Sequence, residues 1–287
     1  MLNLAAKLDL HPLAALVQDI RIAAPDADLL LVGAMARDVL LLHAHGIDTR
    51  RATEDVDIAL TADNWATFSA LREKLIQSGR FVSASNVLQK LRSDSLGIKI
   101  DLIPFGGVEN VRGEIVWPPE NAEVMRVIGY REARNSAIHV NLPLEQTINV
   151  VSLPMFALLK LLAWVERHYT APRKDAIDIE TVLKNYLVEE NLERLYTEAP
   201  HHFSSTTYDY DHETSGAWLC GHDVRQTLAR HSTRDAEIVT LANAALEQEM
   251  NVDGPLILVS QAKSENPEHL RKLLAAFHAG LNLKETP

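Results

Sequence analysis

Apolar positions in the first part of the chain recur with two different periods, and each period predicts a different element. Residues 12–24 carry leucine, valine and isoleucine at helical spacing, which predicts an amphipathic helix. The continuous apolar run of residues 28–34 predicts a buried strand. Residues 35–46 then predict a helix that Gly46 ends.

The next segments repeat the order of strand and helix. Residues 55–60, "DVDIAL", predict a strand, and residues 61–79 predict a helix that Gly79 ends. Thr61 or Asp63 is expected as its N-cap. Further strands are predicted at 86–92, 96–105 and 146–153, and a loop with a hairpin at 105–119.

The pattern changes near residue 150, where strand signals give way to long helical ones. Residues 154–168 and 172–187 are two strong helical patterns, each with a proline near its start. We therefore predict an α+β chain with a soft boundary: residues 1–150 form a mixed β-sheet with flanking helices, and residues 151–287 form a mainly helical domain.

Composition narrows the classes of function. The 287 residues carry a formal net charge of −11, which disfavours general nucleic-acid binding, and no DNA partner is expected. A local basic patch near the active site would be needed for an anionic substrate. The single cysteine, Cys220, excludes a disulfide framework and predicts a small buried side chain. With no signal peptide or membrane span apparent, a cytoplasmic location is expected.

Candidate chemistry begins with Asp55 and Asp57, which flank one valine at the start of a predicted strand. Alternation places both carboxylates on one face and the apolar residues on the other. Two neighbouring carboxylates repel each other unless a cation lies between them, and Mg²⁺ takes carboxylate and phosphate oxygens together. Asp101 is a third carboxylate in a later apolar strand. If the two strands are neighbours, the trio can hold two metal ions.

A phosphate site is predicted upstream. The strand ending at Gly33 runs almost directly into a helix, whose free amide groups favour phosphate, and a small residue permits close approach. Arg37 follows in the first turn and could contact phosphate, pair with Asp38, or lie on the surface.

These features resemble the DNA polymerase β-type nucleotidyltransferase superfamily, over about residues 28–105. Within it the chain resembles the AbiEii-like toxin nucleotidyltransferases. The resemblance implies a nucleotidyltransferase-fold sheet, with the triphosphate held at Gly33. It also implies that Asp55, Asp57 and Asp101 are catalytic and bind Mg²⁺, with Mn²⁺ as a substitute. The family's glycine pair is Gly33-Ala34 here, and no serine follows in the usual position. Ala34, Arg37 and Thr53 join the predicted nucleotide site.

The helical half contributes a second part of the resemblance. Residues 160–183 are similar to the family's lysine–arginine helix followed by a Lys-Asp-x-x-Asp helix. The resemblance implies that four residues complete the active-site cleft: Lys160, Lys174, Asp175 and Asp178. Without it, these residues read as ordinary surface charges, with Lys174 and Asp178 as a helical pair.

Other candidates are weaker. Haloacid-dehalogenase phosphatases also use Asp-x-Asp, but there the apolar strand precedes the first aspartate, whereas here it follows. A second Asp-x-Asp, in residues 208–213, has no apolar strand after it and reads as a loop. Arg50 and Arg51 fit a solvated loop or substrate binding equally well.

The predicted function is a Mg²⁺-dependent nucleotidyltransferase that moves a nucleoside monophosphate from an NTP to an acceptor hydroxyl. The resemblance implies RNA such as tRNA, or a protein, as acceptor, a role in growth arrest or phage defence, and an antitoxin. Two alternatives remain: a catalytically silent protein that binds a nucleotide or a partner, and a small-molecule transferase of the aminoglycoside-modifying kind.

Overall fold

The computed structural model describes residues 1–49, 55–85, 87–118, 123–167, 172–198, 211–228, 233–251, 258 and 262–283. The chain divides into two units, Met1–Ser152 and Leu153–Pro287. Each unit is described by itself.

An eight-stranded mixed sheet is the centre of the first unit. The strands are β1 (Leu2–Asn3), β2 (Leu29–Val32), β3 (Asp55–Ala62), β4 (Phe81–Ser83), β5 (Lys90–Ser93), β6 (Lys99–Gly106), β9 (Ile138–Asn141) and β10 (Thr147–Val150), with β7 (Glu114–Val116) and β8 (Val124–Arg126) forming a separate hairpin. The order across the sheet is β1-β9-β10-β2-β3-β6-β5-β4. Strand β3 is antiparallel to β2 and parallel to β6, so the two strands that carry the predicted carboxylates are direct neighbours.

Strand β3 shows why this sheet has one apolar and one polar face at its centre. Val56 and Ile58 are buried, while Asp55 and Asp57 are half-buried on the opposite face. On β6, Ile100 and Leu102 are buried and flank the half-buried Asp101. Side chains of a strand alternate between faces, so burial of one set directs the other to the opposite surface.

The described residues of the first unit form the α-helices α1 (His11–Ala23), α2 (Gly33–Asp38), α3 (Trp65–Gln77) and α4 (Tyr130–Asn135). A π-helical segment, Val39–His43, continues α2, so the helix predicted at residues 35–46 begins earlier and is irregular. The predicted N-cap of α3 was wrong. Thr61 lies in β3, and Asn64 caps the helix by accepting a hydrogen bond of 2.9 Å from the backbone N–H of Thr67.

The remaining predictions in this unit differ from the structure in their bounds. The strand expected at 86–92 forms only at Lys90–Ser93, and β4 was not predicted. The hairpin predicted at 105–119 forms from β7 and β8, whose residues Glu114 and Arg126 are partners. Short strands lack enough alternating positions to be located from the pattern alone.

Helices make up the regular structure in the described part of the second unit. They are α5 (Leu153–Arg167), α6 (Pro172–Asn185), α7 (Glu189–Glu198), α8 (His212–Leu228), α9 (Thr233–Met250) and α10 (Pro267–Leu281). Helices α8 and α10 approach each other closely at Gly221. A Cβ added to this glycine would lie 2.0 Å from the Phe277 carbonyl oxygen, so the two backbones are in contact there. Cys220, on the same helix, is a free and fully buried thiol, as predicted.

The observed architecture confirms the predicted fold class: a mixed sheet with flanking helices is followed by a mainly helical region. Among the described residues, no helix has the length and apolar character needed to cross a membrane.

Candidate active site

The three predicted carboxylates come together on one face of neighbouring strands. Asp57 of β3 and Asp101 of β6 are direct partners in the parallel register, and Asp55 lies two residues before Asp57. Adjacent parallel strands lie about 4.8 Å apart, so these side chains project side by side. The sequence predicted that the three carboxylates would meet only if their two strands were neighbours, and in the sheet β3 and β6 are neighbours.

The surroundings of Asp101 on this face disfavour the negative charge of its carboxylate. Burial raises the pKa of Asp101, the positive charge of Lys90 opposes that rise, and the negative charges of Asp55 and Glu123 add to it. One oxygen of Asp55, Oδ1, is buried and has no hydrogen-bond partner among the residues that the structure describes. A carboxylate oxygen removed from water without a partner carries a desolvation cost that a cation would offset.

The fit to a divalent cation rests on donor type and register. Asp55, Asp57 and Asp101 offer hard oxygen ligands, which suit Mg²⁺. The unpartnered Asp55 oxygen lies on the same strand face as Asp57. Among the described side chains, no group of three or more His, Cys, Asp and Glu residues is gathered closely enough to hold a metal ion. The three aspartates fit the ion in the chemistry of their oxygens but are not drawn together around one point, so binding of the ion remains a prediction.

Gly33 lies against Asp57 at the junction of β2 and α2. Its φ is +67°, and a Cβ added there would lie 1.9 Å from Asp57 Oδ2. Both the backbone conformation and the close approach of the carboxylate require glycine at this position. Ala34, the next residue, is buried, which fits the small side chain found where a second glycine was expected.

Arg37 is in the protein interior. Its side chain is 0% exposed and forms an ion pair of 2.6 Å with Asp38. The hydroxyl of Thr49 donates a hydrogen bond of 2.8 Å to the same Asp38 oxygen. Arg37 therefore forms the expected pair with Asp38, and its contact with phosphate stays a prediction. Thr53, Arg50 and Arg51 lie outside the described residues.

Three of the four charged residues predicted in the helical unit, Lys160, Asp175 and Asp178, form a cluster with Arg167. Lys160 on α5 lies 3.2 Å from Asp175 Oδ1 and 2.7 Å from Asp178 Oδ2 on α6. Arg167 donates two hydrogen bonds to Asp175, of 2.7 and 2.8 Å. The side chains of Asp175 and Asp178 are 1% and 0% exposed, so these are buried pairs that join two helices rather than surface charges.

The cations of this cluster lower the pKa of Asp175. Burial raises the pKa of Asp175, but the hydrogen bonds from Arg167 and the positive charges of Lys160 and Arg167 outweigh it, and the pKa is lowered. Lys174 is exposed on α6. A contact between these four predicted residues and a nucleotide remains a prediction.

Lys90 is a residue that sequence reasoning missed. It is the antiparallel partner of Asp101 across β5 and β6, so it lies on the carboxylate face. The alternation of Lys90, Leu91 and Arg92 indicates a strand with both basic residues on one face. It does not show that this strand lies beside β6.

A match to one protein family covers most of the chain. A family model described as "Nucleotidyl transferase AbiEii toxin, Type IV TA system" matches residues 14–281. No curated protein matches the chain. Among solved structures, the chain is similar to the antibiotic-resistance factor ANT(2'')-Ia, with 14% identity, a TM-score of 0.34, and coverage of 67% of this chain and 96% of that one. A likeness that distant carries no argument about activity.

Proposed function

The chain belongs to the AbiEii nucleotidyl transferase toxin family, and from that premise we propose that it transfers a nucleoside monophosphate from an NTP to an acceptor hydroxyl with Asp55, Asp57 and Asp101 as its catalytic residues. The observation that carries the residue assignment is the parallel register that makes Asp57 and Asp101 direct neighbours on one face of the sheet.

The three aspartates would hold Mg²⁺. When bound, the ion supplies positive charge to the phosphates and to the oxygens that attack and leave. Two observations support a positive charge at this site. Asp55 has a buried oxygen without a hydrogen-bond partner among the described residues, and the pKa of Asp101 is raised chiefly by burial.

Asp101 is the proposed base. Its register beside Asp57 places it on the carboxylate face, where one of its oxygens would take the proton of the attacking hydroxyl. The acceptor oxygen then forms a bond to the α-phosphorus, the bond to the bridging oxygen breaks, and pyrophosphate leaves with the bonding electrons. The triphosphate lies along the backbone at Gly33, where the absence of a side chain permits close approach.

Family membership also supports the biological part of the proposal. A type IV toxin–antitoxin description implies that transfer arrests growth or defends against phage, and that an antitoxin counteracts it. We propose Mg²⁺ as the metal, with Mn²⁺ as a substitute, and a macromolecular acceptor.

Covalent label transfer tests the proposal. The pure protein is incubated with Mg²⁺, each α-labelled NTP in turn, and either total RNA or protein extract. We expect one NTP to label one macromolecular band. Asp57→Ala should reduce labelling by at least about 10²-fold, the size of losing one electrostatic contact to a reacting group.

Circular dichroism of Asp57→Ala provides the control, because the variant should keep the helix content of the parent. Full labelling by a folded Asp57→Ala protein would contradict the assignment of the site. Labelling that persists in excess chelator would contradict the metal dependence.

A further inference from the structure

A buried carboxylate at the end of α2 connects this helix to the chain that enters β3. Asp38 is the last residue of α2, and its Oδ1 atom accepts hydrogen bonds from Arg37 Nε, at 2.9 Å, and Arg37 Nη2, at 2.6 Å. The same oxygen accepts a hydrogen bond of 2.8 Å from the hydroxyl of Thr49. Asp38 is therefore a point at which the helix and the segment that follows it are held together.

All three members of this contact are in the protein interior. Arg37 is 0% exposed, Asp38 is 6% exposed and Thr49 is 3% exposed. A hydroxyl at the surface exchanges its partner for water, whereas a buried hydroxyl keeps the partner that the fold provides. The hydrogen bond from Thr49 to Asp38 is therefore a fixed connection rather than a passing surface contact.

The chain turns back beside the helix before it reaches Thr49. After α2 comes the π-helical segment Val39–His43, and the backbone N–H of Ile47 donates a hydrogen bond of 3.1 Å to the Leu41 carbonyl oxygen. π-helical turns are rare overall and often occur at functional sites. Thr49 lies six residues before Asp55, the first residue of β3. A restraint on Thr49 therefore acts on the segment that leads to the first of the three carboxylates.

Helix α2 packs against β3 and is tied at both of its ends to β3 or to the chain that enters it. At its first residue, Gly33 lies so close to Asp57 that an added Cβ would be 1.9 Å from Oδ2. At its last residue, Asp38 holds Thr49. A single contact at Gly33 would allow the helix to pivot about that point, whereas a second contact at the other end removes this freedom. The two contacts together fix the direction of α2 relative to the start of β3.

We propose that Asp38 is a positioning residue of the active site, which through Thr49 fixes Asp55 and Asp57 relative to the backbone of Gly33. This inference rests on the proposed function, because Gly33 is where the triphosphate would lie. A displacement of about 1 Å between a reacting group and the residues that act on it can reduce the rate about 10²-fold. Asp38 acts on the reaction only through the placement of the two catalytic carboxylates.

Removal of the Thr49 hydroxyl tests the proposal. Asp38→Ala is unsuitable, because it would leave the buried Arg37 without its counter-ion and destabilise the fold itself. Thr49→Val keeps the shape of the side chain and leaves the ion pair of Arg37 and Asp38 in place. We expect kcat for nucleotidyl transfer to fall about tenfold with an unchanged KM for NTP, because the substrate still binds while the carboxylates are misaligned. Thr49→Ser should restore kcat, because serine keeps the hydroxyl.

Thr67→Val is the matched control, because the hydroxyl of Thr67 also donates to a side-chain oxygen, at 3.2 Å from Asn64 Oδ1. Thr67 lies in the first turn of α3, which begins after the far end of β3, so the same chemical change should leave kcat unchanged. An unchanged kcat in Thr49→Val would overturn the role of Asp38, as would an equal loss in Thr67→Val. A raised KM with an unchanged kcat in Thr49→Val would also overturn it, because the effect would then lie in substrate binding.

Hydrogen exchange of backbone amides in β3 separates this inference from the proposed function, because it needs no substrate. In Thr49→Val the amides of residues 55–57 should exchange about tenfold faster than in the parent, whereas those of residues 59–61 should be unchanged. A uniform increase along β3 would show a general loss of stability and overturn the positioning role. Failure of transfer by the parent under every condition contradicts the proposed function, while the exchange pattern still decides whether Asp38 fixes the start of β3.

Discussion

Asp175 and Asp178 of the helical unit lie against cations, whereas Asp55, Asp57 and Asp101 of the sheet unit lie beside one another. Asp175 and Asp178 are almost completely buried, yet Lys160 and Arg167 compensate their charges at hydrogen-bond distances. In the sheet unit, Asp57 and Asp101 are neighbours in register, and the pKa of Asp101 is raised rather than lowered.

This contrast separates two uses of an acidic side chain. A buried carboxylate with its counter-ions in the same fold contributes to the structure, and removing one partner leaves the other charge uncompensated. A carboxylate with a buried oxygen that has no hydrogen-bond partner among the described residues, as in Asp55, costs stability, and binding of a cation would recover it. The predictions below test the contrast, from the largest expected effect to the smallest.

Asp178→Ala should have the largest effect on stability. Loss of this fully buried carboxylate leaves Lys160 with one partner fewer inside the α5–α6 pair, and breaking a buried pair costs about 3–5 kcal/mol. Hydrogen exchange of peptides from α5 and α6 measures the loss as a lower free energy of local opening.

Lys184→Ala is its control, because Lys184 forms an i,i+4 pair of 2.7 Å with Glu180 on the same helix and is more exposed. Its effect should be about 0.3–0.5 kcal/mol. Similar exchange in the two variants would contradict the structural role of the buried cluster.

Gly33→Ala should destabilise the sheet unit and displace Asp57. A left-handed backbone costs a non-glycine residue about 1–2 kcal/mol, and the overlap of the new methyl group with Asp57 Oδ2 adds about 1–3 kcal/mol. Nucleotidyl transfer should fall together with stability, and thermal unfolding and label transfer measure the two effects.

Gly46→Ala is the control that separates the backbone cost of Gly33→Ala from the overlap of its methyl group with Asp57. Gly46 has a φ of +70°, and no atom lies within 4 Å of an added Cβ. Only the backbone cost applies there, so equal losses in the two variants would show that Asp57 does not constrain Gly33.

Asp101→Asn should stabilise the metal-free protein while abolishing transfer. Because the folded pKa of Asp101 is raised, its contribution to stability is fully present below the unfolded pKa and is lost as the pH rises through the folded pKa. The variant should therefore gain on the parent above the usual aspartate range and match it in acid. The gain is small, because the side chain is half exposed and solvent screens its charge.

Melting curves from pH 3 to pH 8, with and without Mg²⁺, measure this effect. Added Mg²⁺ should stabilise the parent more than Asp101→Asn. Equal stabilisation of both proteins would remove Asp101 from the metal site.

Arg167→Met should have the smallest effect. The Arg167 side chain is 48% exposed, so its pair with Asp175 contributes about 0.2–1 kcal/mol. The lowered pKa of Asp175 contributes stability above its unfolded pKa, which is lost as the pH falls through the folded pKa. Without Arg167 that loss should begin at a higher pH, as acid titration of ellipticity would show. An unchanged acid transition would mean that Lys160 alone holds the charge of Asp175.

Most of the fold could be predicted from the sequence because its signals are local. Apolar positions at helical spacing located α1, α5 and α6, and alternation located the two faces of β3. The capping residue of α3 was missed because Thr61, Asp63 and Asn64 are all good caps, and only the extent of β3 decides between them.

Some features of the candidate site could likewise be predicted from local spacing, and others depend on packing. Spacing and the family resemblance identified Asp55, Asp57, Asp101 and Gly33, and the structure places them at neighbouring strands. Spacing could not show that Arg37 is enclosed with Asp38, or that Asp175 and Asp178 are buried against Lys160. Burial and pairing depend on which elements pack together, and no local pattern contains that information.

The sequence by itself determined the types of the longer elements, the two faces of β3 and the family, because period and motif are properties of neighbouring residues. The tertiary structure alone decided the order and register of the strands. That order makes Asp101 the neighbour of Asp57 on one side and of Lys90 on the other. Strand partners are chosen by packing between distant segments, so the group of neighbouring carboxylates exists only in the folded sheet.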